Sequence, residues 1–277
     1  MLTRLEDLLA PGDAKAASVD WSRFRLDVIT GPDQPEFERA YEALWREFGP
    51  LHEIETPEVL AGRLEWDPQV PVEGLHLQYR LALLTQDGRF AAVRDHTAIM
   101  AAGRPGCVVH LSHLLVAPEF RRTGIAGALR AFPLRTAREC LVAAGRSEEE
   151  AVTLAAEMEH ADPHHPARMQ RLAAYEKAGY RKPDPRRVPY LQPDFREPAV
   201  IDAEGGPHPL PFSLILRRVG REAERTLLGS ELREIAERLY RMYALGFRAS
   251  DMAPVFANLD RFPAPGEAIA LLSPTAA

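Results

Sequence analysis

The chain has 277 residues, 46% of them apolar, and a formal net charge of -6 from 34 basic and 40 acidic side chains. That size and apolar content suffice for a buried core in one large or two small domains, which argues against a disordered chain. Lys and Arg are scattered rather than gathered into a basic block, so nucleic acid is not expected as a partner. No run reaches the roughly 20 apolar residues of a membrane span, and Met1 to Asp13 lacks the apolar segment of a secretory signal. The expectation is a soluble, cytoplasmic protein with no membrane partner.

In chain order, Phe24 to Ile29 alternates as a strand. Asp33 precedes an amphipathic run with Phe37, Tyr41, Leu44 and Phe48 on one face, stopped by Gly49 and Pro50. Thr56 and Pro57 read as an N-cap and first helical residue, with Val59, Leu60 and Leu64 as the apolar side. Leu75 to Thr85 and Arg89 to Ala101 read as two strands joined at Gln86-Asp87-Gly88, whose Asp-Gly pair signals a hairpin. Cys107 to Val116 is nearly all apolar and reads as one buried central strand.

A helix is expected from Gly124 to Ala144, although Pro133 inside it removes a hydrogen bond and should kink the chain at a cost of roughly 3 kcal/mol if uncompensated. Val152 to Glu159 reads as a strand, a helix starts near Pro166 and stops at Gly179, and Phe212 to Val219 closes the sheet. Between them Pro183 to Pro211 reads as a long loop with a short strand. After Gly220 the pattern turns helical, with Leu232, Ile235, Leu239 and Met242 on one face, Ser230 as a cap and Gly246 as a stop. The fold class that follows is α/β: a mixed, mostly antiparallel central sheet with helices on both faces, residues 1–220 forming a domain and 221–277 a C-terminal helical extension. That extension is expected to pack on the sheet or on a second copy of the chain in a homodimer.

The densest chemical signal is Leu114-Leu115-Val116-Ala117-Pro118-Glu119-Phe120-Arg121-Arg122-Thr123-Gly124-Ile125-Ala126, a buried strand that runs through a tight turn into a helix. The first N–H groups of a helix lack intrahelical partners and sit at the positive end of its dipole, so such a turn can hold a pyrophosphate with main-chain donors. Arg121 and Arg122 can add charge-assisted contacts, although adjacent side chains rarely both point at one ligand. A strand-Gly-helix junction taken alone is also common in α/β proteins.

These residues resemble the acetyl-CoA signature of the GNAT superfamily of N-acetyltransferases, with Arg121, Gly124 and Ala126 on the pattern Arg/Gln-x-x-Gly-x-Gly/Ala. Tyr175-Glu176-Lys177-Ala178-Gly179-Tyr180 is similar to the family's Tyr-Glu-Lys-x-Gly-Phe helix ending. Arg168 stands seven residues before Tyr175, where an Asn often opens that region in the family. The resemblance implies transfer of the acetyl group of acetyl-CoA, without a metal, to an amine of a small molecule or peptide. The amine would attack the thioester directly, through a tetrahedral intermediate. It implies Leu114 to Val116 and Arg121 to Ala126 as the donor site, with a backbone N–H of Leu115 or Val116 for the oxyanion. It also implies Tyr175 as the acid that meets the leaving thiolate, against the plainer reading of a packed core tyrosine.

For the base, Thr153, Glu157 and Glu159 share one strand face, and two neighbouring carboxylates raise each other's pKa towards neutrality. Glu159 reads equally well as a solvated strand end. His110 and His113 fall on opposite faces of a continuous strand, with His110 on the face of Val116, so at most one can meet an acceptor. His110 is the alternative base, weighed against a neutral core histidine. His160, His164 and His165 sit in a Pro-containing loop without fixed ligand geometry and read as loop residues. Cys107 and Cys140 lack metal spacing and a catalytic His or Asn pattern and read as buried thiols. Two other functions remain: a non-catalytic acyl-CoA-binding or scaffold module, and an acyltransferase with a longer acyl donor.

Overall fold

A computed structural model describes residues 6–276, which divide into two compact units, Met1–Val152 and Thr153–Ala277. The architecture is mixed α/β with mostly antiparallel strands, as the sequence predicts.

In the first unit, a β1 (Phe24–Ile29), β2 (Leu75–Gln86), β3 (Arg89–Ala101) meander is antiparallel throughout. The β2–β3 connection has φ 49° at Asp87 and 78° at Gly88. Positive φ at both central residues is the two-residue turn that matches strand twist, which is why an Asp-Gly pair stands there. Helices α1 (Pro35–Phe48) and α2 (Pro57–Leu64) cover one face. Their Ala40, Leu44, Leu60 and Leu64 bury against Tyr79, Leu81 and Leu83 of β2 and Val93 of β3. All three β2 positions are odd-numbered, as a pleated strand with one face on this core requires. Helix α3 (Ile125–Ala143) runs through Pro133 and packs on the other face, where Thr136 and Phe132 meet His96 of β3.

The single strand expected from Cys107 to Val116 is instead two: β4 (Cys107–His110) and β5 (Leu114–Val116). Both pair with β3, but Thr97 lies opposite His110 while Arg94 lies opposite Leu114. Three residues, Leu111 to His113, thus face two, Asp95 and His96. This is a bulge, and one extra residue inverts the alternation. His110 shares its face with Thr97 on the α1/α2 side, Val116 shares the opposite face with Ala92, and His113 meets Asp95 on the α1/α2 side. The expectation that His110 and His113 point apart and that His110 and Val116 point together therefore fails, because parity counting assumes an unbroken pleat.

Before β1 the chain makes a short helical segment, Pro11–Ser18, that lies along α3. Asp13 forms a buried ion pair with Arg130 of α3, and the indole of Trp21 donates to the Ala16 carbonyl at 3.0 Å.

In the second unit, β6 (Val152–Met158) pairs antiparallel with β10 (Ser213–Arg218). Helix α4 (Pro166–Lys177) leads through Gly179, φ 85°, into β7 (Lys182–Pro183). The long Pro-rich loop holds β8 (Leu191–Gln192), α5 (Pro198–Ala203) and β9 (Leu210–Pro211). The C-terminal part is helical in α6 (Gly229–Ala244) and α7 (Ala249–Asn258). It also contributes strands β11 (Thr226–Leu228) and β12 (Ala268–Leu272), which form a small sheet with β7. Helix α6 starts at Gly229 with Leu228, rather than the expected Ser230, at its N-cap. A Cβ at Gly229 would stand 2.2 Å from the Ala264 carbonyl oxygen.

Candidate functional site

The strand-turn-helix of the first unit supplies backbone donors in a row. The antiparallel ladder exchanges hydrogen bonds at alternate pairs. Asp95 N–H to His113 O at 3.2 Å and Ala117 N–H to Ala91 O at 2.9 Å mark the bonded pairs. The alternation then makes Val93 opposite Leu115 a bonded pair and Ala92 opposite Val116 a non-bonded one. Leu115 N–H is spent on β3, whereas the N–H groups of Leu114 and Val116 point away from it.

After Val116 the turn is shaped by two left-handed residues, Arg122 at φ 63° and Gly124 at φ 112°. Among the described residues, no acceptor engages the amides of Arg122, Thr123, Gly124, Ile125 or Ala126, the last three opening α3. Consecutive free amides in such a conformation form an anion-binding concavity at the positive end of the helix. The Arg121 guanidinium turns back to the Val116 carbonyl at 3.1 Å and closes the turn. Arg122 has no such tie among the described residues, so the two arginines do separate in direction. Thr123 Oγ1 donates to the Phe120 carbonyl at 2.6 Å.

Gly124 is required for a reason the motif does not state. A Cβ there would lie 2.8 Å from the Lys15 carbonyl oxygen and 3.1 Å from Val19 Cγ2, so the close approach it permits is to the chain's own N-terminal segment. The Lys15 ammonium in turn donates to the Arg122 carbonyl at 2.6 Å. This places a cation from residue 15 beside the free amides, a contact between positions too far apart for motif reading.

The bulge is held by a buried charged couple. His113 donates its backbone N–H to Asp95 Oδ1 at 2.7 Å, with its Nδ1 3.0 Å from the same oxygen and its Nε2 2.8 Å from the Glu53 carbonyl. The Tyr79 hydroxyl donates to Asp95 Oδ2 at 3.0 Å. Burial opposes charge on the imidazole, yet the Asp95 carboxylate beside it raises the His113 pKa to about 9. Burial likewise opposes charge on Asp95, but His113 and Tyr79 bring its pKa down to about 2. His113 is therefore a charged fastener between the bulge and the α1–α2 connection rather than a base. His110 is 3% exposed with Nδ1 3.2 Å from Ser112 Oγ. A pocket of about 390 Å³ opens beside this region, between Arg39, Glu42, Arg46 and Glu47 of α1 and Phe90 and Leu115.

In the second unit Glu157 is the focus. Its carboxylate accepts from Tyr190 OH at 2.6 Å, Tyr243 OH at 2.6 Å and Gln192 Nε2 at 3.3 Å. Tyr190 comes from the Pro-rich loop and Tyr243 from α6, so the C-terminal extension reaches a candidate site residue, a role that its apolar stripe does not announce. Burial, then the charge of Glu157, push the Tyr190 phenol well above its ordinary pKa, so it stays a donor. Glu159 lies one residue beyond β6 and forms ion pairs with Arg171 and, at 2.9 Å, with Arg168. Arg168, which replaces the Asn of the motif, also donates to the His160 carbonyl at 3.1 Å. Glu159 is thus an ion-paired strand end. Tyr175 of α4 is half-buried and meets Tyr180 edge-on at 4.9 Å between ring centres. His160 Nδ1 lies 2.8 Å from Ser213 Oγ, and His165 Nδ1 2.6 Å from Asp162. Cys107 and Cys140 are buried thiols; burial raises the Cys140 thiol far above its ordinary pKa.

No protein-family profile matches the sequence, and no curated protein matches it. Solved structures do. The ribosomal-protein-S18-alanine N-acetyltransferase of Escherichia coli is similar at 16% identity and TM-score 0.38, over 71% of this chain and 94% of its own. A tandem GNAT protein from the clavulanic acid biosynthesis pathway is similar at 17% identity and TM-score 0.41, over 86% of this chain and 64% of its own. The protein yncA from Salmonella typhimurium, solved with its cofactor acetyl-CoA, is similar at 13% identity and TM-score 0.38, over 71% of this chain and 94% of its own.

Proposed function

We propose that this chain, whose fold is that of the GNAT superfamily, is an acetyl-CoA-dependent N-acetyltransferase that acts on an amine of a small molecule or peptide. The observation that carries the reading is the run of five free amides from Arg122 to Ala126 at the start of α3, in the frame Arg121-x-x-Gly124-x-Ala126. These donors, with Arg122 and the Lys15 ammonium, fit a diphosphate. When bound, acetyl-CoA supplies an acetyl thioester open to attack by an amine.

Val116 N–H, unspent on β3, serves the developing oxyanion; Leu115 N–H is excluded from that role by its place in the ladder. Glu157 takes the proton of the amine, and the phenols of Tyr190 and Tyr243 hold its carboxylate in place. The carboxylate acts directly or through a bound water. Tyr175 donates towards the leaving thiolate, and His110 is the alternative base. Residues 1–220 carry the transferase and 221–277 form an extension that supplies Tyr243.

Calorimetric titration with coenzyme A and thiol release from acetyl-CoA over an amine panel test this. Micromolar binding and amine-dependent release are expected. No binding of coenzyme A at millimolar concentration would overturn the reading, and binding without release from acetyl-CoA or longer acyl-CoAs with any amine would leave a binding module instead.

A further inference from the structure

The face of the sheet turned to α3 carries polar side chains that an interior layer ordinarily excludes. The β2–β3 register sets Gln78 opposite Ala98, Arg80 opposite His96 and Ala82 opposite Arg94, all on this face. Arg94 and His96 are both 0% exposed. Among the described residues, Nε, Nη1 and Nη2 of Arg94, Nδ1 of His96 and Oε1 of Gln78 have no hydrogen-bond partner. A guanidinium keeps its charge in any protein environment and presents five N–H donors in a plane. Buried polar groups are paired with very few exceptions, and an uncompensated buried charge is among the most costly features an interior can hold.

Two buried carboxylates of this unit are committed elsewhere. Asp95 projects to the opposite face, where His113 and Tyr79 hold it. Asp13 is paired with Arg130. Meanwhile His96 is oriented as a second donor: its Nε2 lies 2.8 Å from Thr136 Oγ1 of α3, which leaves Nδ1 to carry the proton when Thr136 donates. Burial, followed by the charge of Arg94, keeps this imidazole well below its ordinary pKa and hence neutral. On the same face Arg94 lies between Ala82 and Leu114 across the strands, His96 faces Arg80, and the face continues along β3 at Ala92 and Ala98, so a second guanidinium stands beside the two unpartnered donors.

We propose that Arg94 and His96 bind a small anion, a halide or a small oxyanion, in the layer between β3 and α3. The anion neutralises the guanidinium and links the strand to the helix, with Arg94 giving charge-assisted hydrogen bonds and His96 Nδ1–H a neutral one. The site lies on the face of the sheet opposite the His113 couple and does not depend on the transferase reading.

Thermal unfolding of the full chain tests this at constant ionic strength, with gluconate replaced stepwise by chloride, bromide, nitrate or phosphate. A ligand of the native state raises the midpoint with concentration according to its Kd. The wild type is expected to show a saturable rise with at least one small anion, and Arg94→Met to lose it. Bromide-soaked crystals of the wild type give a second measurement that does not require Arg94→Met to fold, an anomalous peak within contact distance of the Arg94 guanidinium. A midpoint indifferent to the anion, an equal rise in Arg94→Met, or water in place of bromide at Arg94 would each overturn the proposal.

Discussion

The turn from Val116 to Ala126 and the cluster around Glu157 solve the problem of placing polar groups in opposite ways. The turn uses backbone amides, whose direction follows from φ and from the start of a helix, so its requirements fall on a few consecutive residues. The Glu157 cluster uses side chains at positions 157, 190, 192 and 243, which only the folded chain brings together. A backbone site tolerates side-chain change except where a Cβ collides; a side-chain site depends on every hydroxyl. Substitutions should therefore separate the two regions by parameter, donor binding for the first and turnover for the second.

The largest effect is expected at Glu157. Replacing it by Gln keeps the volume and removes the negative charge that Tyr190 and Tyr243 orient. A lost general base costs about 10²- to 10³-fold in kcat. The KM for acetyl-CoA should stay within about twofold, and steady-state kinetics over a pH series reads both. Unchanged kcat in Glu157→Gln, with lost turnover in a His110 variant, would transfer the base role to His110. Gly124→Ala comes next. Its Cβ meets the Lys15 carbonyl at 2.8 Å, and φ 112° lies outside the range L residues accept. About 2 to 3 kcal/mol of stability should be lost, read by urea unfolding, together with at least tenfold weaker coenzyme A binding by calorimetry.

The contrast also explains what the sequence made legible. Strands β1 to β3, helices α1 to α4 and the turn from Val116 to Ala126 follow from local signals: alternation, an Asp-Gly turn, Thr56-Pro57 and the Gly124 frame. The bulge at Leu111 to His113 does not, because nothing in an apolar run marks an inserted residue, and a single insertion reversed every facing argument built on His110. Asp95, a charged residue inside a core strand, does signal a buried partner. The tyrosine partners of Glu157 had no such signal, since they come from a loop and from a helix that reads as packing alone. The strand Ala268 to Leu272 was hidden in a tail whose earlier half is strongly helical.

The bulge itself gives a pH-dependent test. The folded pKa of His113, about 9, lies above the ordinary 6.5, so its contribution is complete below pH 6.5 and is lost as pH rises through 9. The folded pKa of Asp95, about 2, lies below the ordinary 3.8, so its contribution is present above pH 4 and is lost as pH falls towards 2. The two shifts describe one interaction and are not additive. Urea unfolding should show a plateau between pH 4 and 6.5 and a decline of about 3 kcal/mol by pH 9. His113→Asn should start lower and remain flat from pH 6.5 to 9; a wild-type decline retained in that variant would place the titrating group elsewhere.

The smallest effect belongs to Lys15, and it sharpens the comparison because it adds a side chain to the backbone site. Its ammonium is anchored on the Arg122 carbonyl, while its own carbonyl packs on Gly124. Lys15→Met keeps the stem and the carbonyl contact but removes the charge. If the free amides supply most of the binding, coenzyme A affinity should fall only about two- to fivefold, with stability unchanged. The ionic-strength dependence of binding should also weaken, since one cation fewer meets the phosphates. Binding equal to wild type at low and high salt would show that Lys15 only buttresses the turn. A loss as large as that of Gly124→Ala would show that the site depends on side-chain charge after all, and the distinction between the two regions would then fail at the turn itself.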